Sequence, residues 1–537
     1  MQRLFRLLAC RQRKTTTARR AHPLAGATFK RDHARLENDH VCAPWETKGG
    51  HFETRHRGLG HGNLRRVCNS HSSGGGVAMP TPVNAGARLD RLPAGSFHRR
   101  VLWLVGMGMF FDSFDNTLSG SVLAALLDSK WSTLEQNSLF MSATFIGLTL
   151  GAAAAGWLSD RFGRRFAYQF NLAIFGSMAL LSTLAPSMPW LIAIRAVMGL
   201  GMGAEYVMCY GLIIEFVPPE KRGRYLGYLA VFAGAGVFAT SSIGALIIPW
   251  LGWRTMFLIG GCGTIWVWWL RRHLPESPRW LEKVGRTAEA EEVMQRIEQE
   301  AAAAGPLPPF TAVPSSPPRW VPITVLFSRP VIRRTLLALV VNVSCLFGSY
   351  TLTGWMPTFF VRQGMSVTRS LAFTAAMMAG WLIGPLLCVV LADRVGRRWG
   401  LVAFGVICAA FGATYPFLTE PTWIIVCGMM LVASVSVFLT LGLGGTPELF
   451  PTEYRFRGGG LAQTVGRAGL IISPFVVLTL FNNYGINGVI GAISGMYLAV
   501  ALLMAVAGIE TNQKSLEAIE PEAAAAPEVA LTPVRQP

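Results

Sequence analysis

The sequence predicts an all-α membrane protein, with 12 transmembrane helices arranged as two pseudo-symmetric six-helix bundles. Three observations carry that prediction. Twelve apolar stretches follow one another from about residue 101, each near the roughly 20 residues that a bilayer-crossing helix needs. Lys and Arg crowd into alternate connections between the stretches. Two separate motifs recur at one offset along the chain. The composition agrees: of 537 residues, 51% are hydrophobic and only 15% charged, whereas soluble domains carry about 25% charged residues.

The apolar stretches lie near 101–127, 137–158, 166–186, 190–216, 225–249 and 254–270, then near 333–361, 370–392, 399–418, 422–446, 459–481 and 486–508. A polar, Pro- and Ala-rich segment separates the two sets of six. The expected organisation is therefore a disordered basic N-terminal extension (1–99), an N-terminal six-helix bundle (100–271), a cytoplasmic central loop (272–332), a C-terminal bundle (333–509) and a disordered cytoplasmic tail (510–537).

The net charge of +18 belongs mostly to the extension, because residues 1–100 hold 19 Lys and Arg against 6 Asp and Glu. A basic terminus is not a nucleic-acid-binding face, and no nucleic-acid partner is expected. Eight of the nine His also lie in residues 1–100, leaving His273 alone in the body. That disfavours a His-built metal site or a Ser-His-Asp triad there. Nine Cys without a C-x-x-C pair disfavour a disulfide framework or a zinc ribbon. Neither a metal nor a cofactor is expected. Residues 1–78 show no apolar periodicity and read as an extension ahead of a true start at Met79. The alternatives are an organelle presequence, since no acid precedes Asp32, and a zinc site from Cys42, Cys68 and nearby His, whose spacing fits no usual pattern.

Orientation follows from the basic residues. Connections after stretches 2, 4, 6, 8 and 10 hold Arg161, Arg164, Arg165, Lys221, Arg222, Arg224, Arg271, Arg272, Arg394, Arg397, Arg398, Arg455 and Arg457, whereas the other side offers little beyond Lys130, Arg254, Arg362 and Arg369. Both termini are expected on the cytoplasmic side. Asp160-Arg161-Phe162-Gly163-Arg164-Arg165 recurs as Asp393-Arg394-Val395-Gly396-Arg397-Arg398, and Glu215, Pro218, Glu220 and Arg222 recur as Glu448, Pro451, Glu453 and Arg455. The shared offset points to a duplicated unit with a cavity between the halves.

With Gly156-Trp157-Leu158-Ser159 ahead of it, the first of these motifs resembles the loop signature of the major facilitator superfamily, and the resemblance extends over about residues 88–520. Gly156, Asp160, Arg161, Gly163, Arg164, Arg165, Glu215 and Arg222, with Asp393, Arg394, Gly396, Arg397, Arg398, Glu448 and Arg455, are thus expected to form cytoplasmic gating motifs. Taken singly, each Arg reads first as a topology marker, and it is the repeated whole motif that is specific. Pro275-Glu276-Ser277-Pro278-Arg279-Trp280 and the Arg195-to-Glu205 segment resemble the sugar-porter and metabolite–proton symporter branch. Stretch 7 has no Gln, and Glu510-Thr511-Asn512-Gln513-Lys514 lacks the Pro of the sugar porters' closing motif. Phe111-Asp112-Ser113-Phe114-Asp115, Trp355-Met356-Pro357-Thr358-Phe359-Phe360 and the segment from Pro447 to Glu453 are more similar to aromatic-acid and nicotinate-type proton symporters.

Charges within apolar stretches are functional candidates because each is costly at membrane depth. Asp112 and Asp115 are three residues apart on one helix face, a spacing that suits two carboxylates sharing a proton. Arg195, Gly199 and Gly203 form a stripe on which a second helix can pack closely and meet Arg195. The resemblance implies that Asp115 and Arg195 are a proton-coupling pair; a static structural ion pair is the competing reading. Glu205 suits a proton relay, a substrate contact or an interhelical hydrogen bond. Arg467 suits a bidentate contact with a carboxylate ligand. Asn342, Tyr350, Trp355 and Trp381 complete the expected substrate contacts, against packing roles for each.

The expected function is secondary active transport: proton symport of a small organic carboxylate, aromatic or pyridine, by alternating access. A proton-coupled sugar or polyol importer, a drug–proton antiporter and a non-transporting sensor are the rivals. No phosphate loop, nucleophile elbow or H-E-x-x-H pair supports a pump or an enzyme. The expected setting is a multi-pass protein of the bacterial inner membrane, acting as a monomer on a small-molecule substrate and protons.

Overall fold

The computed structural model describes residues 83–303, 305–309, 323–450 and 455–509. Met79, Cys42, Cys68 and the tail 510–537 lie outside them, as do the side chains of Asp393, Arg394 and Arg455. A short helix α1 (Ala85–Asp90) precedes the N-terminal half. That half comprises α2 (Ser96–Asp128), α3 (Leu134–Phe162), α4 (Arg164–Ser182), α5 (Met188–Phe216), α6 (Pro219–Leu251) and α7 (Arg254–Arg271). The central segment carries α8 (Pro278–Lys283) and α9 (Thr287–Ala302). The C-terminal half begins with α10 (Arg329–Arg362); α11 (Val367–Met378) and α12 (Gly380–Val395) then form one span. It continues with α13 (Arg397–Thr414), α14 (Pro421–Gly445) and α15 (Arg455–Ala507), which supplies the last two spans around Gly485 (φ 65°).

Eight helical runs are long and apolar enough to cross a membrane by length and composition. Helices α2, α4 and α7 fall outside that group. The first carries Asp112, Asp115 and a run of Ser and Thr; α4 opens on Arg164 and Arg165 and holds Gln169 and Asn171, and α7 begins and ends on Arg254 and Arg271, so all three are less apolar.

Local chemistry sets the helix ends. Thr133 and Gln136 cap α3 reciprocally, each side chain meeting the other's backbone N–H. The repeated motif repeats in backbone geometry too. Gly163 (φ 99°, ψ 160°) and Gly396 (φ 79°, ψ 166°) make matching turns in a region that only glycine adopts readily. Among the close approaches predicted for the glycine stripe, a Cβ on Gly199 would stand 2.5 Å from the Thr144 carbonyl oxygen of α3.

The halves meet through α2 with α10, α3 with α15, and α6 with α11 and α12. A Cβ on Gly120 would lie 2.5 Å from the carbonyl oxygen of Thr353, and Ser142 donates to the Ile471 carbonyl at 2.8 Å. These contacts lie away from the face that carries the repeated motifs, called here the motif face.

Residues 85–99 depart from the expected disordered extension. The backbone N–H groups of Asn84 and Ala85 donate to Glu282 of α8 at 2.8 and 2.9 Å, and Arg88 pairs with Glu291 (2.5 Å) and Glu298 (2.7 Å) of α9. Leu89 and Leu92 are buried beside Leu281, Met294 and Ile297. A helix of six residues cannot hold itself together in water, so its order depends on partners about 200 residues away, which local sequence patterns do not reveal.

Candidate functional site between the two halves

Arg195 of α5 and Asp115 of α2 form an ion pair from which solvent is wholly excluded. Arg195 Nη2 also donates to Ser119 Oγ (2.5 Å), its Nε to Thr144 Oγ1 (3.4 Å), and its guanidinium lies 5.0 Å from the Phe140 ring centre. Ser119 and Thr144 in turn line a cavity of about 10 Å³ with Asn116, Met141 and Phe145, closed from the other half by Tyr350, Thr353 and Gly354. That is room for about one water molecule. The pair is therefore one layer of hydroxyls from a gap between the halves.

Asp112 and Asp115 are not hydrogen-bonded to each other. Asp115 is held by Arg195, whereas the hydrogen-bond partner of Asp112, also buried, among the described residues is Asn116, whose Nδ2 lies 3.4 Å from Oδ2 and 3.0 Å from the Asp112 carbonyl oxygen. Asp112 Oδ1 has no hydrogen-bond partner among the described residues. It lies within Coulombic range of Glu205, Arg467 and Asp115.

Arg467 of α15 comes from the opposite half. Its guanidinium sits 5.0 Å from the ring centre of Tyr206 on α5, and no carboxylate among the described residues lies within ion-pair distance of it. Tyr350 stacks edge-on against Phe145 across the interface at 5.2 Å and feels the charges of both Asp112 and Arg467. Asp112, Tyr206, Tyr350 and Arg467 thus share one electrostatic environment at the seam.

Of the other expected substrate contacts, Trp355 and Asn342 sit within the C-terminal half, whereas Trp381 meets α6 across the seam. Trp355 stacks on Phe359, which stacks on Phe481, within the packed core of the C-terminal half. Asn342 is fully buried and donates to the Ala338 carbonyl (2.8 Å) and Thr446 Oγ1 (2.7 Å), joining α10 to the end of α14. Trp381 presents its backbone carbonyl to Gly234 of α6, where a Cβ would stand 2.2 Å away, and its Nε1 is buried without a partner among the described residues.

Glu205 pairs with Arg271, a residue that reads in the sequence as a loop topology marker. Both are fully buried, with Oε1 and Nη1 2.6 Å apart. Arg271 also donates to the carbonyls of Leu104 (2.8 Å) and Val105 (2.9 Å), and Cys209 Sγ lies between the two charges. Gly108 makes the room: a Cβ there would stand 2.0 Å from Arg271 Nη2. This cluster fastens α2, α5 and α7 together.

On the motif face, Arg164 reaches Glu215 and Asp160, each at 2.8 Å, and Ser159 at 2.7 Å. Beneath it Glu276 accepts from the backbone N–H groups of Arg164 (2.9 Å) and Arg165 (3.2 Å), so its carboxylate faces the positive end of α4. Burial raises the proton affinity of Glu276 above the usual carboxylate range, against these backbone hydrogen bonds. Trp280 Nε1 donates to the Asp160 carbonyl, and Asp90 bridges Arg222 and Arg279. Arg165 donates to the Arg272 carbonyl, Arg161 lies over the Phe162 ring, and no neighbour crowds Gly156. In the second repeat Arg397 meets Glu448 at 3.4 Å, and Arg398 donates to the Met504 and Ala505 carbonyls.

Comparison with known proteins agrees with this architecture. The family model described as "Sugar (and other) transporter" matches residues 109–523. The chain belongs to that family, and so to the major facilitator superfamily. It is 35% identical over 443 residues to the inner membrane metabolite transport protein YdjE of Escherichia coli (strain K12), covering 81% of this chain and 98% of that one. It is 33% identical over 439 residues to the niacin transporter NiaP of Acinetobacter baylyi, covering 81% and 99%. Among solved structures, a D-xylose–proton symporter superimposes with a TM-score of 0.62 at 17% identity, covering 78% of this chain and all of that one. The protein is a multi-pass membrane transporter, not an enzyme, with the twelve-helix major facilitator fold.

Sequence patterns missed Ser119, Thr144, Phe140, Asn116, Cys209 and the buried role of Arg271. Ser and Thr in apolar helices usually bond their own backbone. Only the helix pairing shows which of them face a charge.

Proposed function

We propose that the chain is a proton symporter of a small organic carboxylate, aromatic or pyridine, working by alternating access. The carrying observation is the sealed Asp115–Arg195 pair, set one layer of hydroxyls from the gap between the halves, with Arg467 facing the seam without a carboxylate partner among the described residues. Protonation of Asp115 removes the charge that holds Arg195. The released guanidinium then biases how α2 and α5 pack, and with them the rocking of the halves. Arg467 supplies a planar donor array for a substrate carboxylate, and Tyr206 and Tyr350 supply aromatic faces. The niacin transporter among the relatives supports this substrate class; the family description and the xylose symporter support a sugar or polyol instead.

We assign the basic motif face, and with it both termini, to the cytoplasm, a reading its Lys and Arg excess supports; the inner membrane transport protein among the relatives supports a bacterial inner membrane. Each polypeptide encloses its own gap, and the working unit is taken as a monomer. Asp160, Arg164, Glu215 and Glu276, with Arg397 and Glu448, act as latches on that face, and their rearrangement accompanies opening.

Substrate class is tested by thermal stabilisation of the purified protein with nicotinate, benzoate and glucose. Stabilisation by a carboxylate, lost in Arg467→Gln, is the expected result. Stabilisation by glucose alone overturns the carboxylate reading and favours the sugar one.

A further inference from the structure

The duplicated halves share one frame where the third and sixth spans of each meet at the motif face. Gly252 (φ 79°) matches Gly485 (φ 65°) at the offset of the motif repeat. Arg398 donates to the Ala505 carbonyl (2.5 Å) as Arg165, its counterpart, donates to the Arg272 carbonyl (2.8 Å). The side chains carried on that frame differ. Phe162 ends α3, and Phe166 and Phe170 follow a turn apart on α4, with ring centres 5.3 and 5.7 Å apart. Trp269 lies on α7, which Gln169 joins to α4 by donating to the Trp268 carbonyl (3.3 Å). All four rings are nearly half exposed. The second half has Val395, Trp399, Ala403 and Leu502 at these positions, and Ala505 in place of Arg272. The fold itself therefore does not require this set.

Three cations border the strip. The Arg272 guanidinium lies 4.4 Å from the Trp269 ring centre, Arg161 lies 5.8 Å from that of Phe162, and Arg165 ends against the Arg272 carbonyl. A guanidinium over a ring keeps most of its five N–H donors for an anion. None of the three has a carboxylate within ion-pair distance among the described residues. Asp160 is taken by Arg164, and Glu276 by the backbone N–H groups of Arg164, Arg165 and Ser277. An interfacial aromatic belt with topology-setting Arg would serve both halves alike, whereas this set occurs in one. We propose that the strip where α4 meets α7 docks one anionic phospholipid from the leaflet on the motif-face side. Arg165 and Arg272 hold its phosphate, and an acyl chain lies along Phe166 and Phe170. Charge selects the headgroup, because a zwitterionic lipid brings an ammonium toward the same cations. The strip selects a chain-bearing anion over free phosphate, since Phe162 to Phe170 spans about 12 Å at helical rise.

The test is native mass spectrometry of the full chain released from detergent, titrated with phosphatidylglycerol or with phosphatidylcholine of the same acyl chains. The first phosphatidylglycerol is expected to bind at least about fivefold more tightly than phosphatidylcholine. Arg272→Gln should remove about fivefold of that affinity, and Arg165→Gln with Arg272→Gln about tenfold or more, with phosphatidylcholine binding unchanged. Arg272→Gln keeps the backbone carbonyl that Arg165 uses, so the single variant carries the test should the double one not fold. Unfolding temperatures without added lipid identify the folded variants. Arg398→Gln, on the matching frame of the second half, should leave phosphatidylglycerol binding unchanged. Inorganic phosphate and glycerol phosphate should not displace the lipid. Equal binding of the two lipids overturns the proposal, as does an effect of Arg398→Gln as large as that of Arg272→Gln. Displacement by inorganic phosphate also overturns it, since the site would then hold a free anion.

Discussion

Glu205 on α5 and Arg271 at the end of α7 form an ion pair 2.6 Å long with no solvent access to either side chain. Removing one partner of such a pair leaves the other charged and buried, at a cost of about 3–5 kcal/mol. Arg271→Gln should therefore lower the melting temperature more than the double change Glu205→Gln with Arg271→Gln does. Thermal unfolding in detergent compares them. A double variant less stable than Arg271→Gln would show that the two charges do not depend on each other.

Gly108 is the second requirement of that cluster. A methyl group there would stand 2.0 Å from Arg271 Nη2 and 2.4 Å from Glu205 Oε1, and both side chains are pinned at their far ends. Gly108→Ala should cost about 1–3 kcal/mol by overpacking. The same unfolding assay checks it, with Gly156→Ala, which meets nothing within 4 Å, as the neutral control.

The halves close through Gly120, where a Cβ would collide with the Thr353 carbonyl oxygen at 2.5 Å. Gly120→Val should hold the halves apart at this contact. A cysteine introduced at Thr353, 9% exposed here, should then react with a maleimide at least about tenfold faster, the equivalent of 1.4 kcal/mol in the closing equilibrium. Equal rates would mean that α2 and α10 do not separate there.

The clasp of α1 on α9 gives a pH dependence. The hydrogen bond from Arg88 holds Glu291 below the usual carboxylate range. Burial of Glu298 pulls the other way, yet hydrogen bonds from Arg88 and Arg91 leave it lowered too. A carboxylate lowered in the folded state adds stability that is fully present above its unfolded value, about 4.3, and is lost as pH falls through the folded value. Amide hydrogens of α1 should exchange slowly at pH 7 and lose protection, relative to α5, near pH 4. Arg88→Ala should lose that protection already at pH 7.

The spans, their pairing into halves and the glycine turns of the repeat were legible because each is written in local patterns: apolar length, basic connections, and Gly163 and Gly396 at the same point of a duplicated motif. The Asp115–Arg195 pair was legible through resemblance. Its hydroxyl ligands were not, since Ser119 and Thr144 look like any small polar residues in an apolar helix. Arg271 misled because a basic residue at a span end reads as a topology marker, and only the approach of α2 at Gly108 draws it inward. The same limit hid α1, whose order depends on α8 and α9, and separated Asp112 from Asp115. Two residues on one helix face can belong to different neighbours.

The most direct test of the account is accumulation of labelled nicotinate and benzoate by cells expressing the protein, with and without a protonophore, beside Asp115→Asn. The account predicts uptake that collapses with the protonophore and is lost in Asp115→Asn, while carboxylate exchange across the membrane persists in the variant. Carboxylate accumulation indifferent to both the protonophore and Asp115→Asn would contradict it and leave the buried pair a purely structural one.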